Sequence, residues 1–166
     1  MLRPEPPIVM TPSVLFVCTG NICRSPTAHA LLLHKAQAIG LTLAVDSAAI
    51  SNEECGNPAD RRAVAEAKRR GIAMPERCAR QVQSQDFERF DWLVGMTRAH
   101  CAALRRLAPA HAGKVCMLMA FADEGAEFDV PDPWYGTQAD FVRAFDLIER
   151  GVDGLLAQLQ SRVHAR

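Results

Sequence analysis

The sequence predicts an α/β domain: a single-domain three-layer sandwich with a parallel sheet between helices. Short apolar runs alternate with helix-like segments along the chain, the pattern of a parallel sheet covered on both faces. The first run, VLFV at 14–17, is continuous rather than alternating, as suits a strand buried on both sides. Three helix-like segments stop at Gly40, at Gly71 or just ahead of Pro109.

The chain has 166 residues, enough for one domain with a substantial core. Lys+Arg and Asp+Glu both number 19, so the formal charge is zero. That balance predicts neither a nucleic-acid nor a membrane partner, and any anion recognition must come from a local site. No apolar run nears the ~20 residues of a membrane span. The opening MLRPEPPIVMTPS is proline-rich and lacks a signal peptide's apolar stretch. Residues 1–13 are therefore expected to be a flexible extension and 14–166 the domain. The six cysteines form no dense framework, which predicts free thiols in a reducing cytoplasm. The five histidines are scattered, and no Cys/His spacing suits zinc, so neither metal nor cofactor is expected.

Strand 14–17 leads into a helix from Pro26 to about Ile39, with Ser25 as its cap and Gly40 as its stop. A second strand is expected over 41–47 and a loop over 52–58. The run ADRRAVAEAKRR at 59–70 is helical, and 73–86 is less regular. DWLVG at 91–95 reads as the third strand, 98–107 as a helix and 115–121 as the fourth strand. After a loop containing PDPWYG, a last helix over about 138–159 sets Phe141, Phe145, Ile148, Val152, Leu155 and Leu159 at helical spacing. That stripe is core.

In such folds ligands sit beyond the carboxyl ends of the strands. The first strand leads into CTGNICRSP, which spaces Cys18 and Arg24 by five residues. Gly20 permits unusual backbone angles, and Asn21 tolerates the left-handed region. A curled loop over Thr19, Gly20, Asn21, Ile22 and Cys23 points its N–H groups inward. The following helix adds its own free N–H groups and positive dipole end. The result is a nest for a tetrahedral oxyanion, with Arg24 able to clamp two oxygens in a fork. The same groups favour a thiolate at Cys18, a nucleophile aimed at a bound phosphorus atom. Ser25 can offer its hydroxyl to that sulfur. Phosphoryl transfer from an ester also needs an acid for the leaving oxygen, and Asp132, stiffened between two prolines, supplies one.

CTGNICRSP and DPWYG together resemble the low-molecular-weight protein tyrosine phosphatases. The likeness runs through VDSAA, GNPADRRA, ARQV, DFERFDWLVGM and the terminal helix. It implies a four-stranded parallel sheet of order 2-1-3-4 with the phosphatase loop after strand 1. It also implies a phosphocysteine route, with Cys18 as nucleophile, Arg24 as phosphate clamp and Asp132 as acid and then base. The phosphate would lie against residues 19–25. Asn21 shapes the loop with Ser47 in its hydrogen-bond network, and Ile22, Trp134 and Tyr135 line the substrate cleft. Cys23 matches a cysteine that pairs reversibly with the nucleophile. The expected substrate is a phosphotyrosine-containing protein or a small aryl phosphate, and the expected state is a monomer or weak dimer.

The departures fall around the site. Glu53 stands where an aromatic usually faces the Trp-Tyr wall. Thr97 replaces an aspartate after Met96, Arg77 stands where a histidine is common, and His29 replaces an acidic residue. Three rivals share the fold. An arsenate reductase needs a relay of cysteines, and Cys78 and Cys101 lie 23 positions apart. A protein arginine phosphatase tends to carry threonine where this chain has Ile22. An inactive phospho-binding module would have no need of Cys18, Arg24 and Asp132 together.

Overall fold

The computed structural model describes residues 11–122 and 128–164. Chain order is β1 (Ser13–Cys18), α1 (Arg24–Ala38), β2 (Ala44–Ala49), α2 (Arg61–Arg69), α3 (Ser84–Arg89), β3 (Trp92–Gly95), α4 (Arg98–Leu107), β4 (Val115–Met117) and α5 (Gln138–His164). Two 3-10 turns, Pro109–Lys114 and Leu118–Phe121, flank β4. All four strands are parallel in the order β2-β1-β3-β4, as expected.

β1 lies in the middle of the sheet, and every residue in it is buried, which is why its sequence does not alternate. Val14, Phe16 and Cys18 face the larger core, with Leu31 and Leu32 of α1 and Phe145, Ile148 and Val152 of α5. Leu15 and Val17 face Phe87, Phe90, Cys101 and Leu104 on the other side. The terminal-helix stripe is thus core, as its spacing predicts. α1 and α2 end in the same way. Gly40 and Gly71 adopt φ of 69° and 74°. The residue after each glycine folds its N–H back, Leu41 to the Ala36 carbonyl and Ile72 to that of Ala67, both at 2.9 Å. Only glycine takes that left-handed position without strain.

The structure corrects several boundaries. Residues 1–10 of the expected extension lie outside the described residues, but Ser13 already belongs to β1, where its N–H and hydroxyl both bond the Asp91 carboxylate at 3.0 Å. α1 starts at Arg24, two residues before Pro26, and Cys23 rather than Ser25 occupies the cap position. The Cys23 carbonyl takes the first helical bond, from Thr27 N–H at 3.1 Å, while the Ser25 side chain turns into the loop. β2 covers 44–49 instead of 41–47 because its register runs from Ser13 opposite Ala44 to Cys18 opposite Ala49. α3 was not expected: it begins within the less regular stretch 73–86 and continues past it to Arg89. Its start is fixed by Asp86, whose carboxylate accepts the Gln83 N–H at 2.8 Å.

The fourth strand is only three residues long, against the seven expected over 115–121. α5 docks on the 3-10 turn just beyond it. A Cβ on Gly151 would come within 2.6 Å of Leu118, and one on Gly154 within 1.6 Å of the Phe121 carbonyl oxygen. The two glycines let the helix backbone touch the turn at 118–121, and that contact takes the segment out of the sheet.

Candidate active site

Cys18 is the last residue of β1 and is 3% exposed. The chain then curls into α1. Asn21 bears the turn with a φ of 59°, the one positive value at a non-glycine among the described residues. Gly20, expected to carry the unusual angle, does not have a positive φ. What its missing side chain provides is room, since a Cβ there would sit 3.2 Å from Glu54 Cγ. Asn21 N–H points at Cys18 Sγ from 3.3 Å, and Ser25 Oγ lies 2.9 Å from the same sulfur.

Arg24 is 6% exposed and anchored at one end. One terminal nitrogen donates to the Val130 carbonyl at 3.0 Å. The other lies 3.5 Å from Thr19 Oγ1 and 3.5 Å from Asp132 Oδ2. The loop, Arg24 and Asp132 line one cleft of about 270 Å³, along with Ile22, Ser51, Glu53, Glu54, Trp134 and Tyr135. Asp132 Oδ1 accepts the Trp134 N–H at 3.1 Å, which fixes the carboxyl at the turn. Trp134 is 37% exposed and Tyr135 96%. Arg62 lies 5.6 Å from the Trp134 ring centroid, in cation–π range. The residues singled out from sequence therefore converge, with one adjustment. Ser47 reaches Asn21 through Arg77, which donates to Ser47 Oγ at 2.8 Å and to Asn21 Oδ1 at 2.9 Å.

Cys23 is buried beside Ala63 and Phe141. Burial first, then the electrostatic influence of neighbouring Cys18, pushes its thiol far above the usual range. The two neighbouring cysteines thus have opposite environments: one meets donors, the other a hydrophobic wall.

Sequence reading missed two further side chains. His100 Nε2 lies 2.8 Å from Thr19 Oγ1, and its Nδ1 is buried with no partner. Burial and the Arg24 charge push its pKa down to about 4, so it is neutral at physiological pH. Thr97 caps α4 and accepts the His100 N–H at 3.1 Å, so the Thr97 departure preserves a helix cap. The other is Arg77, visible in sequence only as a departure. His29 sits behind it, 3.3 Å from Ser47 Oγ, with its pKa held at about 4 by burial and Arg77 against the pull of Asp46. Among the described residues no group of His, Cys, Asp and Glu is placed to hold a metal.

A cysteine and an arginine on one strand–loop–helix turn, with a carboxyl across the cleft, form a site suited to a tetrahedral oxyanion beside a thiol on a doubly wound sheet. The comparisons agree. The model of the low molecular weight phosphotyrosine protein phosphatases matches residues 13–165. A low molecular weight protein-tyrosine-phosphatase of Streptomyces coelicolor is 39% identical over 95% of this chain and 99% of its own. The human low molecular weight phosphotyrosine protein phosphatase is 41% identical over 79% of this chain and 85% of its own. The crystal structure of a protein tyrosine phosphatase from Entamoeba histolytica, with Hepes in the active site, superposes with a TM-score of 0.87 at 32% identity, covering 92% of this chain and 99% of that one. The chain belongs to the low-molecular-weight phosphotyrosine protein phosphatase family, and so to the phosphoric monoester hydrolases.

Proposed function

We propose that this phosphatase hydrolyses phosphotyrosine and other aryl phosphate monoesters through a phosphocysteine on Cys18. The observation that carries the reading is the meeting of Cys18, Arg24 and Asp132 in one cleft. The phosphate settles on the N–H groups of residues 19–25 and the free edge of Arg24. Cys18 sulfur attacks phosphorus, the bond to the aryl oxygen breaks, and Asp132 gives that oxygen its proton. In the second step Asp132, now a carboxylate, takes a proton from the attacking water. Phosphate leaves, and the sulfur departs as thiolate onto the Ser25 hydroxyl.

Ile22 and the Trp134–Tyr135 wall favour a flat aryl group, and the substrate is a phosphotyrosine-containing protein or a small aryl phosphate in the cytoplasm. Cys23 protects the nucleophile: peroxide converts the Cys18 thiolate to a sulfenic acid, and the Cys23 thiol displaces water from it to close a disulfide. One observation favours phosphoarginine as a second substrate, the acidic pair Glu53 and Glu54 at the cleft mouth. A similar structure, at TM-score 0.83 and 28% identity over 92% of this chain, is a mutant of YwlE arginine phosphatase.

The test is a kinetic panel of p-nitrophenyl phosphate, phosphotyrosine, phosphoserine and phosphoarginine. Aryl esters should turn over fastest. Preference for phosphoarginine would replace this reading with the second one, and a folded protein with no turnover would leave only a phospho-binding module.

A further inference from the structure

Arg62, on the first turn of α2, has no part in the proposed reaction, yet it touches the loop that carries the acid. Its guanidinium is gripped by Asp60: Nε donates to Oδ1 at 3.1 Å and Nη2 to Oδ2 at 2.9 Å. This is the two-pronged fork in which arginine meets a carboxylate. Asp60 is itself fixed. Its carboxylate caps α2 by accepting the Arg62 N–H at 2.8 Å. Its own N–H donates to the Ile22 carbonyl at 2.7 Å, which ties it to the anion loop.

A guanidinium held in that fork cannot swing, and it lies over two aromatic rings. Its Cζ is 4.4 Å from the ring centroid of Phe141 on α5 and 5.6 Å from that of Trp134 in the acid loop, both within cation–π range. Trp134 is also tied to the acid, because its N–H donates to Asp132 Oδ1 at 3.1 Å. A continuous path therefore runs from Ile22 through Asp60 and Arg62 to Trp134 and Asp132. From the floor of the cleft, Arg24 Nη2 reaches Asp132 Oδ2 at 3.5 Å, and the carboxyl is half exposed. A contact that long and that wet holds a carboxyl weakly. The placing of Asp132 falls to the turn it stands on, which is held by the buried Pro133 and, through Trp134, by Arg62.

We propose that Arg62 is a positioning residue: the Asp60–Arg62 fork pins the Trp134 turn so that Asp132 is aimed at the leaving oxygen. This deepens the phosphocysteine reading and rests on it. Arg62 does not line the cleft that holds the anion nest, so its effect falls on proton donation and not on phosphate binding. A lysine would keep the charge but has neither the fork nor the flat face that packs on a ring. Esters with a basic leaving oxygen need the proton most, and they show a loss of aim first.

The test compares kcat/KM for phenyl phosphate, whose phenol is about as weak an acid as tyrosine, with that for p-nitrophenyl phosphate, whose leaving group is far more acidic. Arg62→Met should lower the first about tenfold and the second by no more than about threefold. Inhibition by inorganic phosphate should be unchanged. In an Asp132→Ala background the same substitution should have no further effect on either ester, because no acid is left to aim. Arg62→Lys should lose as much as Arg62→Met. Equal losses for the two esters, a loss that persists without Asp132, weakened phosphate inhibition or full rescue by lysine would each overturn the proposal. If Asp132→Ala itself proves insensitive to the leaving group, the acid assignment fails, and the pinning is read from fluorescence instead. Trp92→Phe leaves Trp134 as the single tryptophan. Acrylamide should then quench it more strongly once Arg62→Met is added, and unchanged quenching refutes the pinning. If Arg62→Met does not fold, Asp60→Asn decides, since it keeps a capping oxygen and breaks the charged fork. A heavier loss with phenyl phosphate supports the role, and equal losses refute it.

Discussion

The floor and the rim of the cleft are built by different rules. On the floor, Cys18, Asn21, Arg24 and Ser25 are all under 9% exposed, and each polar side chain has a named partner. At the rim, Glu53, Asp132, Trp134 and Tyr135 reach into solvent. A buried hydrogen-bonded network tolerates little change, because a lost partner leaves a desolvated group unpaired. An exposed side chain can be exchanged at small cost in stability. On the proposed mechanism the floor, with Asp132 at its border, sets the reaction, and the rest of the rim sets the substrate.

The largest test of this division is Cys18→Ser. Turnover should fall to background while phosphate still binds, as measured by calorimetry, because the nest of N–H groups and Arg24 is intact. Retained turnover would break the division outright. Next is Asp132→Ala, at the border between the two regions. It should slow aryl esters by about 10²–10⁴-fold, with the heaviest loss for poor leaving groups. A loss independent of leaving-group pKa would remove Asp132 as the acid.

The third test concerns the floor alone. His29 and His100 are held at about 4 in the folded protein, against about 6.5 in an unfolded chain. Below pH 6.5 the unfolded state takes up protons that the folded state refuses. The stability tied to each histidine is thus present above pH 6.5 and is lost as pH falls toward 4, by at most about 3 kcal/mol each. Thermal unfolding across pH 7 to 4 should show this, and His29→Asn should flatten part of the slope. The smallest effect belongs to the rim. Glu53→Trp restores an aromatic wall and should raise kcat/KM for phosphotyrosine by roughly fivefold, about 1 kcal/mol of stacking, with stability unchanged. A large stability change would mean that rim and floor are coupled.

How readily each region could be read from sequence divides along the same line. The floor was legible because its parts are consecutive: strand end, curled loop, arginine and helix start all fall within 18–25. Even there one detail misled. Ser25 has the chemistry of a helix cap, but its hydroxyl is committed to Cys18 and Asn21, and Cys23 took the cap position. Arg77 was visible only as an oddity, since its partners Ser47, Asp46 and Asn21 are 30 to 56 positions away. Thr19 gave no hint of His100, because their bond spans 81 positions. The short β4 was hidden for a related reason: Gly151 and Gly154 bring α5 onto 118–121, and no local propensity reports that docking.

The sequence by itself determined the alternation of strands and helices, the buried central strand, the glycine helix stops and the anion loop with its cysteine and arginine. Each of these depends on backbone preference and burial over a few neighbouring residues. Only the tertiary structure decided which charges stand behind the loop, which way its hydrogen bonds run and where the sheet ends. Those depend on groups far apart in the chain that meet only when the helices close over the sheet.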